Sequence, residues 1–162
     1  MKEAYSFSFD VYESEDELNA TDAALVKQAR AISEQAYAPY SKFFVGAAAL
    51  MDNGSIITGT NQENASYPVT LCAERALMAA AASVYPNIGI KTMAISYHNH
   101  NKNTNSNTPI SPCGMCRQSL VEFETRHHVM RLILTGLSGK IYVIPEAGQL
   151  LPLSFKGENL RM

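Results

Sequence analysis

Residues 43–51 read FFVGAAALM, nine consecutive positions with no charged or polar side chain. A strand with one wet face alternates apolar and polar residues. A run that is apolar at every position belongs to a central strand covered on both faces. A chain built around such a strand needs helices above and below its sheet. Asp-Asn-Gly at 52–54 is a hairpin turn signal, and SIITGT (55–60) is the return strand. TMAISY (92–97), MRLILTG (130–136) and KIYVI (140–144) read as further strands. CAERALMAAAASVY (72–85), rich in alanine, and PCGMCRQSLVEFETRH (112–127) read as helices, with a short helix near 146–151. Helices that follow strands, with one hairpin, predict an α/β fold whose sheet is covered on both faces.

The flanking segments are less regular. YSFSFDVY (5–12) alternates Tyr5, Phe7, Phe9 and Val11 with polar residues, which predicts a half-buried edge strand. Ser14 and Glu17 have the spacing of a capping box. The helix expected after them carries Leu25, Ala29, Ile32 and Ala36 on one face and is ended by Pro39. HNHNKNTNSNTP (98–109) is a polar, asparagine-rich loop with no apolar residue to pack. Residues 1–162 are expected to form a single domain, with residues 1–19 as an N-terminal extension and 98–110 as a loop too short to link domains.

Charge narrows the function. A net charge of −2 leaves no electrostatic footprint for nucleic acid or an anionic membrane. No apolar run approaches the roughly 20 residues that span a bilayer. The acidic, alternating N-terminus is unlike a signal peptide. The chain has 3 cysteines, which cannot all pair with one another. They read as reduced thiols in a cytoplasmic protein, where metal binding or catalysis is their use.

Cys113 and Cys116 stand in a Cys-x-x-Cys pair, and Cys72 lies in TLCAERA. Ser111 has the character of an N-cap with Pro112 at the first helical position, and Thr70 can cap the other helix. Both cysteine segments then open helices, whose partial positive charge and unpaired N–H groups favour thiolates. Two such helix starts could hold one ion between them. Three thiolates leave one position of a tetrahedral zinc open, as in catalytic sites; a structural site would close it with a fourth ligand. The candidates for closing it are His98, His100, His127 and His128. The first two fall in the polar loop and the last two at the far end of the helix from Cys113, about 16 Å or more away at 1.5 Å per residue. Glu74 lies two residues past Cys72, off that residue's face. From the first turn it can point toward the open position, where a carboxylate can take and return a proton. By itself it would more often be a helix-dipole charge.

Cys-Ala-Glu at 72–74 followed by Pro-Cys-x-x-Cys at 112–116 resembles the zinc nucleoside and nucleobase deaminases, whose signature is this one. YAPYSKFFVGAA (37–48), NQENASY (61–67), CAER (72–75), SPCGMCRQ (111–118) and LLPLSF (150–155) together resemble the cytidine deaminase family, in that order. The resemblance implies a three-layer α/β/α fold with a central mixed sheet, to which the N-terminal strand is an addition. It also implies one zinc per subunit held by Cys72, Cys113 and Cys116, with Glu74 shuttling the proton as water attacks C4 of the cytosine ring. Phe43 would pack on the base, the Ala73 N–H would hold the base carbonyl, and Asn61 and Glu63 would bind the sugar 3′-hydroxyl. Arg75 would hydrogen-bond the ligand sulfurs, and Phe155 would reach a neighbouring subunit's site in a homotetramer, an assembly favoured over a dimer. The implied substrates are cytidine and 2′-deoxycytidine, in pyrimidine salvage. Glu63 would repel a 3′-phosphate, so a nucleoside is expected and a nucleic-acid chain is not. Read alone, Phe43 could be a core residue, Asn61 and Glu63 turn residues, Arg75 a surface charge and Phe155 a tail anchor. Two departures from the family pattern are Pro68, where glycine is more usual, and the length of the 98–110 loop.

Overall fold

The computed structural model describes residues 1–160; Arg161 and Met162, the end of the expected domain, lie outside the described residues. Six strands make one sheet: β1 (Asp10–Tyr12), β2 (Phe43–Met51), β3 (Ile56–Thr60), β4 (Ile90–Asn99), β5 (Arg131–Leu134) and β6 (Ile141–Ile144). Three helices, α1 (Ala20–Ser33), α2 (Ala73–Val84) and α3 (Gly114–Arg126), cover it. The order across the sheet is β1-β6-β5-β4-β2-β3. The β4–β5 pair is parallel and the others are antiparallel, so the sheet is mixed.

Strand alternation divides the core in two. Ala47, Ala49 and Met51 of β2 join Met93, Ile95, Leu132 and Leu134 beneath Leu77, Met78 and Ala81 of α2 and Leu120 and Phe123 of α3. Ala48, Ala94, Ile133 and Val143 face the other way, against Leu25, Val26 and Ala29 of α1. The unbroken apolar run of β2 is therefore covered on both sides, and the architecture is the three-layer α/β/α arrangement that was expected. Two glycines set how closely the layers approach. A Cβ on Gly46 would lie 2.6 Å from the Ser33 backbone nitrogen of α1, and one on Gly59 would lie 2.6 Å from the Leu77 nitrogen of α2. The second contact seats the first turn of α2 directly on β3.

Four expectations need correction. Only Asp10–Tyr12 of the 5–12 segment is paired, against the short β6. Tyr5, Phe7, Phe9 and Val11 are exposed, since β6 supplies four residues and no layer covers that edge. The aromatic rings instead contact one another in series, ending with Phe9 on Tyr142 at 5.0 Å between centroids. Ser14 caps no helix by its side chain; one 3-10 turn follows it, and the N-cap of the helix is Asn19, five residues after Ser14. Asn19 and Asp22 repeat the same spacing: Asn19 Oδ1 accepts from the Asp22 N–H at 3.0 Å while Asn19 Nδ2 donates to Asp22 Oδ2 at 2.8 Å. α1 also stops at Ser33, short of Ala36. The asparagine-rich loop does pack. Ser106 is buried, its Oγ accepting from Asn99 N–H at 2.9 Å and its carbonyl from Leu137 N–H at 2.7 Å. Polar side chains there supply the bonds that apolar burial supplies elsewhere.

Because backbone, not a flexible side-chain end, meets the added atom, Gly46→Ala should destabilise the fold by about 1–3 kcal/mol. A urea midpoint unchanged from the parent would show that α1 does not sit on β2 this closely.

Candidate metal and active site

α2 and α3 present their N-termini to one place. Cys72 is the N-cap of α2 (φ −75, ψ 155) and Cys113 the N-cap of α3 (φ −68, ψ 169), and neither side chain bonds to its own helix. Thr70 and Ser111 are therefore not the caps. The Thr70 hydroxyl instead accepts from the Asn64 N–H at 3.1 Å. Cys116 lies in the first turn of α3 and is fully buried. Arg117 fixes that turn, with Nε donating to the Pro112 carbonyl at 2.8 Å and Nη1 to the Leu150 carbonyl at 3.0 Å.

The Cys72 and Cys113 sulfurs are 3.8 Å apart, those of Cys113 and Cys116 3.5 Å apart, and all three lie within 4.8 Å of one another. Three sulfurs around a tetrahedral zinc at 2.3 Å would stand about 3.8 Å apart. The donor chemistry agrees with the spacing. Hydrogen bonding from Cys116 brings the Cys72 thiol down to about 7, with burial and the Glu74 charge opposing and Cys113 and the Arg75 charge assisting. Cys116 is pushed strongly upward by that same pairing with Cys72, then by burial and by the Glu74 charge. Three thiols this close cannot all ionise unaided, and a divalent cation among them would remove the conflict. The residues fit a zinc ion with one position left open. No histidine among the described residues joins the three sulfurs. His98 and Ala94 share the α1 face of β4, opposite the sulfurs' helices, and His127 is the C-cap of α3. A closed Cys3His site is not formed.

Glu74, the second residue of α2, is 5% exposed. Burial raises its carboxyl above the usual range, against the opposing effect of its own backbone N–H and the Cys116 thiol. Ala73 is the first helical residue, so its N–H has no acceptor within the helix. Arg75 is half-buried and, among the described residues, makes no hydrogen bond to the sulfurs; it acts on Cys72 through charge.

The segment between β3 and α2 is closed at its base by paired hydrogen bonds between Gln62 and Leu71, which place Asn61 and Glu63 beside the start of α2. Asn61 is buried and serves β2: Oδ1 accepts from the Val45 N–H at 2.7 Å and Nδ2 donates to the Phe43 carbonyl at 2.9 Å. Glu63 Oε2 accepts from the N–H groups of Tyr40 (2.9 Å) and Ser41 (3.2 Å). Burial alone would raise its carboxyl, but the Ser41 side chain and these two N–H groups bring it below the ordinary value. Tyr40, Ser41, Glu63, Tyr67 and Thr70 line a cavity of about 340 Å³. Phe43 stacks on the buried Tyr97 ring, centroids 4.8 Å apart and planes 18° from parallel. Phe155 lies away from these groups' hydrogen bonds, its ring exposed and its carbonyl accepting from Gln118 Nε2 at 2.8 Å. Sequence reasoning missed Tyr97 and the Tyr40–Ser41 amides. Tyr97 could be found only with the β2–β4 register, which sets it diagonally beside Phe43.

The family described as the cytidine and deoxycytidylate deaminase zinc-binding region matches residues 19–132. The chain belongs to the cytidine and deoxycytidylate deaminases. It is an enzyme of the hydrolytic deaminase class. It is 40% identical over 136 residues to a cytidine deaminase of Sporosarcina psychrophila, covering 84% of this chain and 92% of that one. It is 38% identical over 136 residues to a cytidine deaminase of Halalkalibacterium halodurans, covering 84% and 95%. A crystal structure of cytidine deaminase from Burkholderia pseudomallei superposes with a TM-score of 0.71 at 37% identity, covering 85% of this chain and 100% of that one.

Asn61→Ala would leave the Val45 N–H and the Phe43 carbonyl unpaired in a buried setting. That should cost about 1–3 kcal/mol of stability. An unfolding free energy equal to the parent's would mean that Asn61 does not hold β2.

Proposed function

We propose that this chain hydrolyses cytidine and 2′-deoxycytidine to uridine and 2′-deoxyuridine with release of ammonia, in pyrimidine salvage. The observation that carries this reading is the buried Glu74 carboxylate beside three clustered sulfurs at two helix N-termini. Cys72, Cys113 and Cys116 would hold one zinc per subunit, and zinc when bound supplies Lewis acidity and a water more acidic than bulk.

The chain's own residues do the rest. Glu74 is the proton carrier. Its carboxylate accepts a proton from the attacking water and delivers it to ring N3, and a second transfer protonates the departing amine at C4. Burial suits it to this, because a carboxylate with a raised pKa holds a proton long enough to pass it on. The Ala73 N–H, free of a helical partner, donates to the base carbonyl. Phe43, backed by Tyr97, gives the base a fixed apolar face. Glu63 keeps Oε1 to accept from the sugar 3′-hydroxyl while Oε2 is held by backbone N–H groups. Asn61 retains one Nδ2 hydrogen for the sugar, although its first task is to brace β2. Arg75 offsets the negative charge gathered at the sulfurs.

The ionised Glu63 supports a nucleoside over a chain carrying a 3′-phosphate. NQENASY, which supplies the sugar contacts, likewise favours cytidine over the substrate of a deaminase acting on another heterocycle, such as blasticidin S. The whole chain acts as a single domain, and a cytoplasmic setting keeps the three free thiols reduced. Among the described residues, no helix is long and apolar enough to cross a membrane. A homotetramer gives the exposed Phe155 a neighbouring site to enter. It would also cover the apolar groove between α2 and α3 lined by Leu71, Met78, Ala82 and Phe123.

Glu74→Gln should keep zinc near one equivalent per chain while lowering cytidine turnover by about 10²–10⁴-fold. Parent-like turnover in that variant would remove Glu74 from the proton path. Ammonia release should follow cytidine and deoxycytidine but neither CMP nor adenosine. Turnover of CMP without cytidine would overturn the sugar assignment.

A further inference from the structure

Among the described residues, one other group has ligand atoms within 4.8 Å of one another: Glu34, His98 and His100. It lies on the α1 side of the sheet. His98 pairs with Phe44 in the β2–β4 register and shares its face with Ala94, which packs on α1. His100 follows two residues later, just past β4, tied to the residue before β2 by its N–H on the Lys42 carbonyl at 2.9 Å. Alternation therefore puts both imidazoles on one face, their centroids 3.9 Å apart. Glu34 is the C-cap of α1 and meets both: Oε1 lies 2.7 Å from His98 Nδ1 and Oε2 4.0 Å from His100 Nε2.

We propose that Glu34, His98 and His100 form a second divalent transition-metal site, separate from the three cysteines. The donor set is two imidazoles and one carboxylate, the kind that takes Zn²⁺, Ni²⁺ or Cu²⁺ and leaves positions for water. Bonds of 2.0–2.1 Å in a tetrahedral arrangement set ligand atoms about 3.4 Å apart. The two observed separations from Glu34 bracket that value, so small side-chain rotations suffice. The carbonyl end of α1 adds partial negative charge at the same point. Phe44 packs on the His100 ring at 4.5 Å and the Ser41 carbonyl accepts from Asn101 Nδ2 at 2.8 Å, so the segment that carries the imidazoles is already held in place. The side chains are one third to one half exposed, which leaves an entry path. A bound ion would join the end of α1 to the end of β4 and the start of the asparagine-rich loop.

The test is a calorimetric titration with Ni²⁺ of zinc-loaded protein freed of any affinity tag, with retained zinc measured afterward. The expected result is one Ni²⁺ bound per chain without loss of zinc. The double variant His98→Ala/His100→Ala should lose this binding. Glu34→Gln, at an exposed helix end, should weaken it at least about tenfold, since even groups that merely support a metal ligand are worth that much. No Ni²⁺ binding by the parent, or equal binding by parent and both variants, would overturn the site. The readout does not involve deamination, so its failure would leave the deaminase reading standing.

Discussion

The structure depends on the meeting of two helix starts, each with a cysteine as its N-cap. A serine or asparagine at that position would turn its side chain back onto the helix N–H groups. Cysteine, a weak acceptor, leaves its sulfur free to face the other helix. For the sulfurs to come within 3.5–3.8 Å, both helices must be set on the sheet to within a fraction of an ångström. Gly59 allows α2 to sit down on β3, and Arg117 locks the start of α3 to the Leu150 carbonyl. The Gln62–Leu71 pairing controls how the chain arrives at Cys72.

Such convergence concentrates charge. Three thiolates around a divalent ion would leave a net negative charge, and Glu74 is buried in the first turn of the helix that Cys72 caps. Burial acts on the carboxyl in favour of its neutral form. Its own backbone N–H and the Cys116 thiol oppose that effect. A carboxyl raised by burial and held by these bonds suits the proton-carrying role proposed for Glu74. Glu63 is the contrasting case. Three hydrogen-bonding groups of the Tyr40–Ser41 segment stabilise its charge, so it serves as a fixed acceptor.

Much of this was legible in residue patterns. The apolar run 43–51 implied a doubly covered strand, and the cysteines at two helix starts implied that their sulfurs could meet at one place. These depend on local periodicity and on chemistry that tolerates few alternatives. What was missed depends on partners distant in sequence. The caps moved from Thr70 and Ser111 to the cysteines because the arriving chain stays extended until it has delivered each sulfur. The N-terminal alternation implied burial, but alternation marks two faces without saying that anything covers either one; at the sheet's edge nothing does. The asparagine-rich loop looked unpackable because burial was sought in apolar residues. Its order comes from Ser106 and asparagine side chains bonded to backbone.

β4 connects the two faces of the molecule. Tyr97 points to the α2–α3 side and backs Phe43, while His98 and His100 point to the α1 side and meet Glu34. Beyond β4, the His100 N–H holds the Lys42 carbonyl and Asn101 holds the Ser41 carbonyl. The amides of Ser41 and Tyr40 in turn hold Glu63. The turn that orients the Glu63 carboxylate is thus anchored from the far side of the sheet. Fixing the end of β4 restricts that turn, because the contacts run from His100 and Asn101 through the Lys42 and Ser41 carbonyls to the amides that hold Glu63.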